Sequence, residues 1–239
     1  MLMSKVVRLD VTVFLICVLL FALWPELDKW FTAWFYDGSR GVFIGRESAI
    51  VTFFYWVFAY VQIPLLIGLI VAAVYFSYLK AKQLRRNSLF LLCCLLLGPG
   101  LLVNVVLKDN SFGRPRPHQT LDYGGQHDYV AVFEYSDQCQ KNCSFTSGHA
   151  SIVFLLVAVF WLTALRRYVF LGVVLGGLLG LMRIAQGAHF LSDVVFSFWA
   201  VYFCSLALSY PFGLQRANYA KVQAVNARAT ALSGQLVER

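Results

Sequence analysis

Charge is scarce in this chain. Of 239 residues, 13% are Asp, Glu, Lys or Arg and 59% are apolar; soluble domains carry about 25% charged and about 45–50% apolar residues. So little polar surface cannot cover a globule in water, which argues for a bilayer instead. Strand-type alternation is missing from the apolar runs, and this argues against a β-barrel. No internal repeat or low-complexity stretch is present, so the repeat signature of a transporter is lacking. The net charge of +8 comes without a stripe of Lys and Arg interleaved with aromatics, and no nucleic-acid partner is expected. A small-residue cleavage site is absent after the first apolar run, where the chain reads Trp24-Pro25-Glu26. That run is therefore expected to stay as a span and not to leave as a signal peptide. Metal ligands are sparse: near Cys139 and Cys143 only His127 is at hand. That is too few for a structural zinc site, and no metal or other cofactor is expected.

What the chain does contain is six apolar runs: Val11–Trp24, Trp56–Leu79, Ser88–Leu107, Ser147–Leu165, Tyr168–Met182 and Leu191–Tyr210. They predict an all-α polytopic membrane protein, a bundle of six transmembrane helices. The fifth run is short for a span of about 20 residues, so it either borrows from its flanks or ends below the bilayer surface. Pro64 and Pro99-Gly100 predict bends in the second and third spans. With the N-terminus inside, the inner segments hold Lys5, Arg8, Lys80, Lys82, Arg85, Arg86, Arg166, Arg167, Arg216, Lys221, Arg228 and Arg239 against the acids Asp10 and Glu238. The remaining eight basic residues and ten acids fall outside. The basic bias puts both termini in the cytoplasm. Residues 1–211 form the expected membrane domain, and 212–239 a polar, basic tail suited to a membrane surface.

Two outer segments follow from this topology. Pro25 to about Ala49 carries Trp30, Trp34, Phe35 and Tyr36, aromatics suited to the interface. Lys108 to Thr146 is a long loop with Cys139 and Cys143, and loops of that length are usually functional. In an oxidising compartment these two cysteines are expected to form a disulfide. Cys17, Cys93, Cys94 and Cys204 lie in apolar runs and read as small packing residues.

Ionisable residues at membrane helix ends suggest function, and here four span ends on the outer side carry them. The third ends in Lys108, then Arg114-Pro115-Arg116-Pro117. The fourth begins Ser147-Gly148-His149, the fifth ends at Arg183, and the sixth opens with His189 and Asp193. Each cluster alone has a bland reading: a snorkelling lysine, a rigid turn, a common tripeptide, a structural hydrogen bond. Their agreement on one face argues for a site. Lys108, Arg116 and Arg183 suit a phosphoryl group, and the Ser147 and Gly148 amides open a helix, a natural anion site. His189 and Asp193, four apart, share a helix face. A carboxylate on one ring nitrogen frees the other for attack. His149 would serve as acid, then base.

These motifs resemble the type-2 phosphatidate phosphatase superfamily of membrane lipid phosphatases. The family pattern is Lys-x6-Arg-Pro, Pro-Ser-Gly-His and Ser-Arg-x5-His-x3-Asp; this chain has Lys108-x7-Arg116-Pro117, Thr146-Ser147-Gly148-His149 and Met182-Arg183-x5-His189-x3-Asp193. The first motif is one residue long, Thr146 replaces proline and Met182 replaces serine. Arg116 is the favoured match, with Arg114 as a further phosphate or headgroup contact. The resemblance implies a metal-independent phosphohistidine mechanism with His189 as nucleophile, His149 as acid and base, and Asp193 orienting His189. Lys108, Arg116, Arg114, Ser147, Gly148 and Arg183 would hold phosphate.

Within the family, Phe112 to Pro117, Gly124-Gly125 and the Arg183–Asp193 stretch look most like bacterial lipid A phosphatases. The expected substrate is a phosphorylated membrane lipid, lipid A first, with undecaprenyl diphosphate or phosphatidylglycerol phosphate as alternatives. Phosphotransfer to another acceptor is the alternative reaction. A non-enzymatic transporter or scaffold is the reading from a different class. The expected location is a bacterial inner membrane, with the site facing the periplasm.

Overall fold

The structure is a computed structural model that describes residues 2–110 and 112–215. It is almost wholly helical, with four helices long and apolar enough to cross a membrane and a fifth if a bent pair is counted as one span. The bent pair comes first. Helix α1 (Leu2–Leu23) is followed by α2 (Leu27–Ala33), and α2 lies at 84° to the apolar part of α1. Pro25 explains the break, because its ring disfavours helix at the residue before it and removes a backbone donor. Helix α2 buries Leu27, Asp28 and Thr32 and exposes Trp30 and Trp34. A small antiparallel hairpin, β1 (Tyr36–Asp37) and β2 (Val42–Phe43), and the turn-like α3 (Ile44–Glu47) follow. Among the described residues, this hairpin and an isolated bridge between Thr120 and His127 depart from an all-α reading.

The second span, Ala49–Tyr78, consists of α4 (Ala49–Tyr60) and α5 (Gln62–Tyr78). Pro64 has no N–H for the Tyr60 carbonyl, and the helices part at Val61, next to it. The third, Lys82–Asp109, begins as α6 (Lys82–Leu95) and widens into a π-helical segment, Leu96–Asp109. At Pro99, where a bend is expected, the helical register changes. The Asn104 side chain takes up the Pro99 carbonyl at 2.8 Å, supplying a donor where the proline disturbs the ladder.

Gly148–Thr163 forms a shorter apolar helix, made of α7 (Gly148–Phe154), a 3-10 turn and α8 (Ala158–Thr163). Helices α9 (Arg167–Ala185) and α10 (Leu191–Ser209) each run 19 residues. Of the two alternatives for the short fifth run, the structure shows the first. That run borrows Arg167 and Arg183–Ala185 from its flanks, and the preceding helix is the short one.

Helix α10 sits at the centre, half of its apolar window buried, against 6% for the peripheral α4–α5. Close approach depends on glycines along α9: a Cβ on Gly176 would meet Phe154 at 2.3 Å, and one on Gly180 would meet Val194 at 2.2 Å. Small residues of this kind let membrane helices pack backbone to backbone. Large apolar side chains such as Ile67, Val71, Val74 and Phe170 face outward, as lipid-facing surface requires. Of the expected tail, Leu214 is buried and Phe212 packs on Phe90 at 5.5 Å; residues 216–239 lie outside the described residues.

Candidate active site

The ends of the π-helical segment, α7, α9 and α10 that carry the motif residues meet at one end of the bundle, beneath the long loop 110–147. Lys108 closes the π-helical segment and is 9% exposed. It lines a cavity of about 260 Å³ together with Tyr55, Gln62, Asn104, Gly148 and His149. His149 lies against Tyr55, ring centroids 5.1 Å apart, and the Arg183 guanidinium sits 4.7 Å from the same Tyr55 ring. Tyr55, which the motifs do not contain, therefore joins two of their members. An added Cβ on Gly148 would lie 2.4 Å from Asn104 Oδ1, so Asn104 would have to move from its bond to the Pro99 carbonyl.

His189 is fully buried. Its Nδ1 lies 2.7 Å from the Ser144 carbonyl oxygen. A carbonyl only accepts, so Nδ1 holds the ring proton and Nε2 keeps its lone pair. Burial first, then the charges of Lys108, Arg116 and Arg183, holds the imidazole well below its ordinary pKa and therefore neutral. Its Nε2 has no hydrogen-bond partner, and the same is true of Ser147 Oγ and Arg183 Nε. Three buried, unpartnered polar atoms on two of the three motifs mark a place for a polar group to bind, since such atoms are normally satisfied.

Two expectations change in detail. Asp193 Oδ2 lies 3.6 Å from His189 Nδ1, beyond a hydrogen bond, so the carboxylate does not hold the ring directly. Instead Asp193 Oδ2 accepts from Ser144 Oγ at 2.5 Å and from the Phe190 amide at 2.7 Å. It fixes the residue whose carbonyl orients His189. The Ser147 amide, expected to face an anion, donates to Ser197 Oγ at 2.8 Å. Its hydroxyl is the atom left over.

The expectation of a phosphate contact for Arg114 is corrected outright. Arg114 is 1% exposed, and all five of its N–H donors have protein acceptors: the Val130 carbonyl, Ser192 Oγ, Asp193 Oδ1, Asp28 Oδ2 and Tyr129 Oη. Burial opposes its charge, but Asp193 and Asp28 outweigh it and raise its pKa. Arg116 instead lines a second cavity of about 230 Å³ with Arg183, Arg46 and His118. It is steadied by the Asn142 carbonyl and side chain at 2.9 and 2.8 Å. Asn142 lies in the turn between Cys139 and Cys143, which are joined by a disulfide. Among the described residues no three His, Cys, Asp or Glu side chains converge where a metal ion could sit.

Sequence reasoning missed Asp28, Ser144 and Tyr55. Asp28 left one trace, an acid within a segment dominated by aromatic and apolar residues. Ser144 and Tyr55 left none, because a carbonyl contact and a ring contact have no residue-type signature.

The chain belongs to the PAP2 superfamily, whose description matches residues 87–216. It is 39% identical over 196 residues to a lipid A 4'-phosphatase of Francisella tularensis subsp. novicida (strain U112), covering 76% of this chain and 87% of that protein. It is also 39% identical over 122 residues to a lipid A 4'-phosphatase of Rhizobium etli, covering 50% of this chain and 46% of that one. A third, from Rhizobium leguminosarum, is 42% identical over 104 residues, 42% of this chain and 44% of the relative. No solved structure matches the chain.

Proposed function

We propose that this membrane phosphatase removes a phosphate monoester from lipid A, at the 4' position its relatives are named for, through a phosphohistidine on His189. The observation that carries the reading is the bare, buried Nε2 of a neutral His189 beside unpartnered Ser147 Oγ and Arg183 Nε. Nε2 would attack phosphorus as the bond to the lipid oxygen breaks. His149 would protonate that oxygen and then take a proton from the water that cleaves the phosphohistidine. Lys108, Arg116, Arg183, the Ser147 hydroxyl and the Gly148 amide would hold the equatorial oxygens and spread their charge. Asp193 would act through Ser144.

The proposed architecture has six spans, counting the bent α1–α2 and the short Gly148–Thr163, with both termini cytoplasmic and a bilayer-level site facing the periplasm of a bacterial inner membrane. Supporting it are the basic residues Lys80, Lys82, Arg85, Arg86, Arg166 and Arg167 at the opposite helix ends from Lys108, Arg183 and His189. The disulfide on the site side also supports it. Residues 1–211 would form the membrane domain and 212–239 its tail.

The test is phosphate release by purified protein from lipid A and from a panel of lipid phosphates, with radiolabelled substrate to trap an acid-labile phosphoenzyme. His189→Ala should abolish both release and labelling while expression persists. Near-normal turnover in that variant would remove the mechanism. Label passing to an acceptor other than water would make the enzyme a transferase.

A further inference from the structure

Next to the cavity at Lys108 and His149 lies an apolar slot of about 280 Å³, lined by Ile63, Leu66, Leu95, Leu96 and Gly100. The slot shares Gln62 and Ile152 with that cavity, so the two spaces are continuous. None of the proposed catalytic or phosphate-binding residues lines the slot.

Two helix faces run through both spaces. On the third span, Lys108 and Asn104 line the cavity, and Gly100 and Leu96 line the slot. These residues are spaced by four and so stay near one face. On the second span, Tyr55 lines the cavity, Gln62 the joint and Leu66 the slot. Both faces turn from polar to apolar in the same direction, as an amphiphile does. From Lys108 to Leu96 is twelve residues, on the order of 15–18 Å of helix. One leaflet of a hydrocarbon core of ~30 Å has about that depth.

The slot is open to the bilayer. Leu95 and Ile152 are buried, but Ile63 and Leu96 are 53% and 48% exposed. A Cβ on Gly100 would meet only the Leu95 carbonyl oxygen, at 3.3 Å, so no side chain of the bundle fills that place.

We propose that the slot holds one acyl chain of the substrate lipid while its phosphate lies at Lys108 and His149. Gln62 marks the boundary between headgroup and chain. Ile63, Leu96 and Gly100 are then specificity residues for the chain. The inference rests on the phosphatase reading above.

The first experiment reads binding, not turnover. The purified full chain in phosphatidylcholine nanodiscs is mixed in the cold with a lipid phosphate monoester that carries a diazirine on one acyl chain. It is irradiated at once, and the labelled peptides are mapped by mass spectrometry. Label should concentrate on residues 63–66 and 95–100. Excess lipid phosphate without the diazirine should suppress it about tenfold, and the same lipid lacking phosphate should leave it within about twofold. Equal suppression by both overturns the proposal, because the slot would then hold bulk lipid. So does label spread evenly over outward residues such as Val71 and Phe170.

In the second experiment, phosphate release is compared for the long-chain monoester and a homologue with acetyl in place of the chain. Ile63→Trp and Leu96→Trp fill the slot from positions that already border lipid. Each should raise KM for the long-chain substrate about tenfold, the worth of roughly two buried methylenes, with kcat unchanged. The acetyl homologue should be unaffected. An unchanged KM for the long-chain substrate, or an equal rise for both, overturns the slot. Phosphate-dependent labelling of the slot without hydrolysis of any lipid would support it and overturn the phosphatase reading instead.

Discussion

Arg114 Nη1 donates to Asp193 Oδ1 at 2.8 Å in the buried layer beneath the site, while Arg116, two residues on, lines the cavity above it. The prolines flanking Arg116 account for the split. Arg116 has φ −78° and ψ 155°, polyproline-II geometry, in which three residues make one turn. Side chains two apart therefore project in different directions. One run of four residues thus supplies both a structural cation and a cavity cation. Arg114→Lys should lower the melting temperature in detergent sharply, because an ammonium cannot reach five acceptors spread around a guanidinium fork. The loss expected from breaking a buried pair is about 3–5 kcal/mol. Arg116→Lys should melt normally and lose turnover. The reverse pattern would exchange their roles.

Asp28 Oδ2 completes the buried layer, 2.8 Å from Arg114 Nη2 and 2.5 Å from Ser192 Oγ. It ties α2 to the start of α10, and through Arg114 to Asp193 and Ser144. Asp28→Asn should lower kcat roughly 10–100-fold, one lost buried contact's worth of misplacement, with KM nearly unchanged. Asp28→Glu should recover part of kcat. A KM effect without a kcat effect would mean that Asp28 acts on binding and not through His189.

Gly148 and Asn104 test the steric account of the Ser-Gly-His motif. A Cβ at 148 would strike Asn104 Oδ1 at 2.4 Å, so Gly148→Ala should cost about 1–3 kcal/mol by overpacking. Adding Asn104→Ala should return most of that stability in a double-mutant cycle. Simple additivity of the two losses would contradict the contact.

The Cys139–Cys143 disulfide closes the turn whose Asn142 grips Arg116. Reduction with a thiol, or Cys139→Ser with Cys143→Ser, should raise KM several-fold, because Arg116 loses its support. The bundle should melt nearly unchanged, the loop lying outside the helices. Unaltered kinetics after verified reduction would show that Arg116 is held without the turn.

Buried neutral imidazoles make stability depend on pH. His189 and His118 both have folded pKa values below the ordinary range, through burial first. Their contribution is complete above the unfolded value of about 6.5 and is lost as pH falls below it, because the unfolded chain takes up protons that the folded chain refuses. The limiting slope is about 1.4 kcal/mol per pH unit for the fully buried His189, with a smaller share from the half-buried His118. Melts between pH 7.5 and 5.5 should show stability dropping with acid, and His189→Asn should flatten part of that slope. An unchanged slope would mean that His189 is charged in the folded protein.

The sequence by itself determined where the apolar helices run and which of their ends carry ionisable groups, and it named Lys108, His149, Arg183 and His189 as one candidate set. These are properties of single residues and their near neighbours: hydropathy adds along a segment, and spacing in a helix fixes a shared face. Tertiary structure alone decided which arginine is buried, what orients His189, and that Tyr55 and Asp28 take part. Those answers rest on pairings across 45 residues for His189 with Ser144, 79 for Arg114 with Asp193 and 86 for Arg114 with Asp28. A buried donor takes whichever acceptor packing brings within about 3 Å, and no local pattern specifies which one that is.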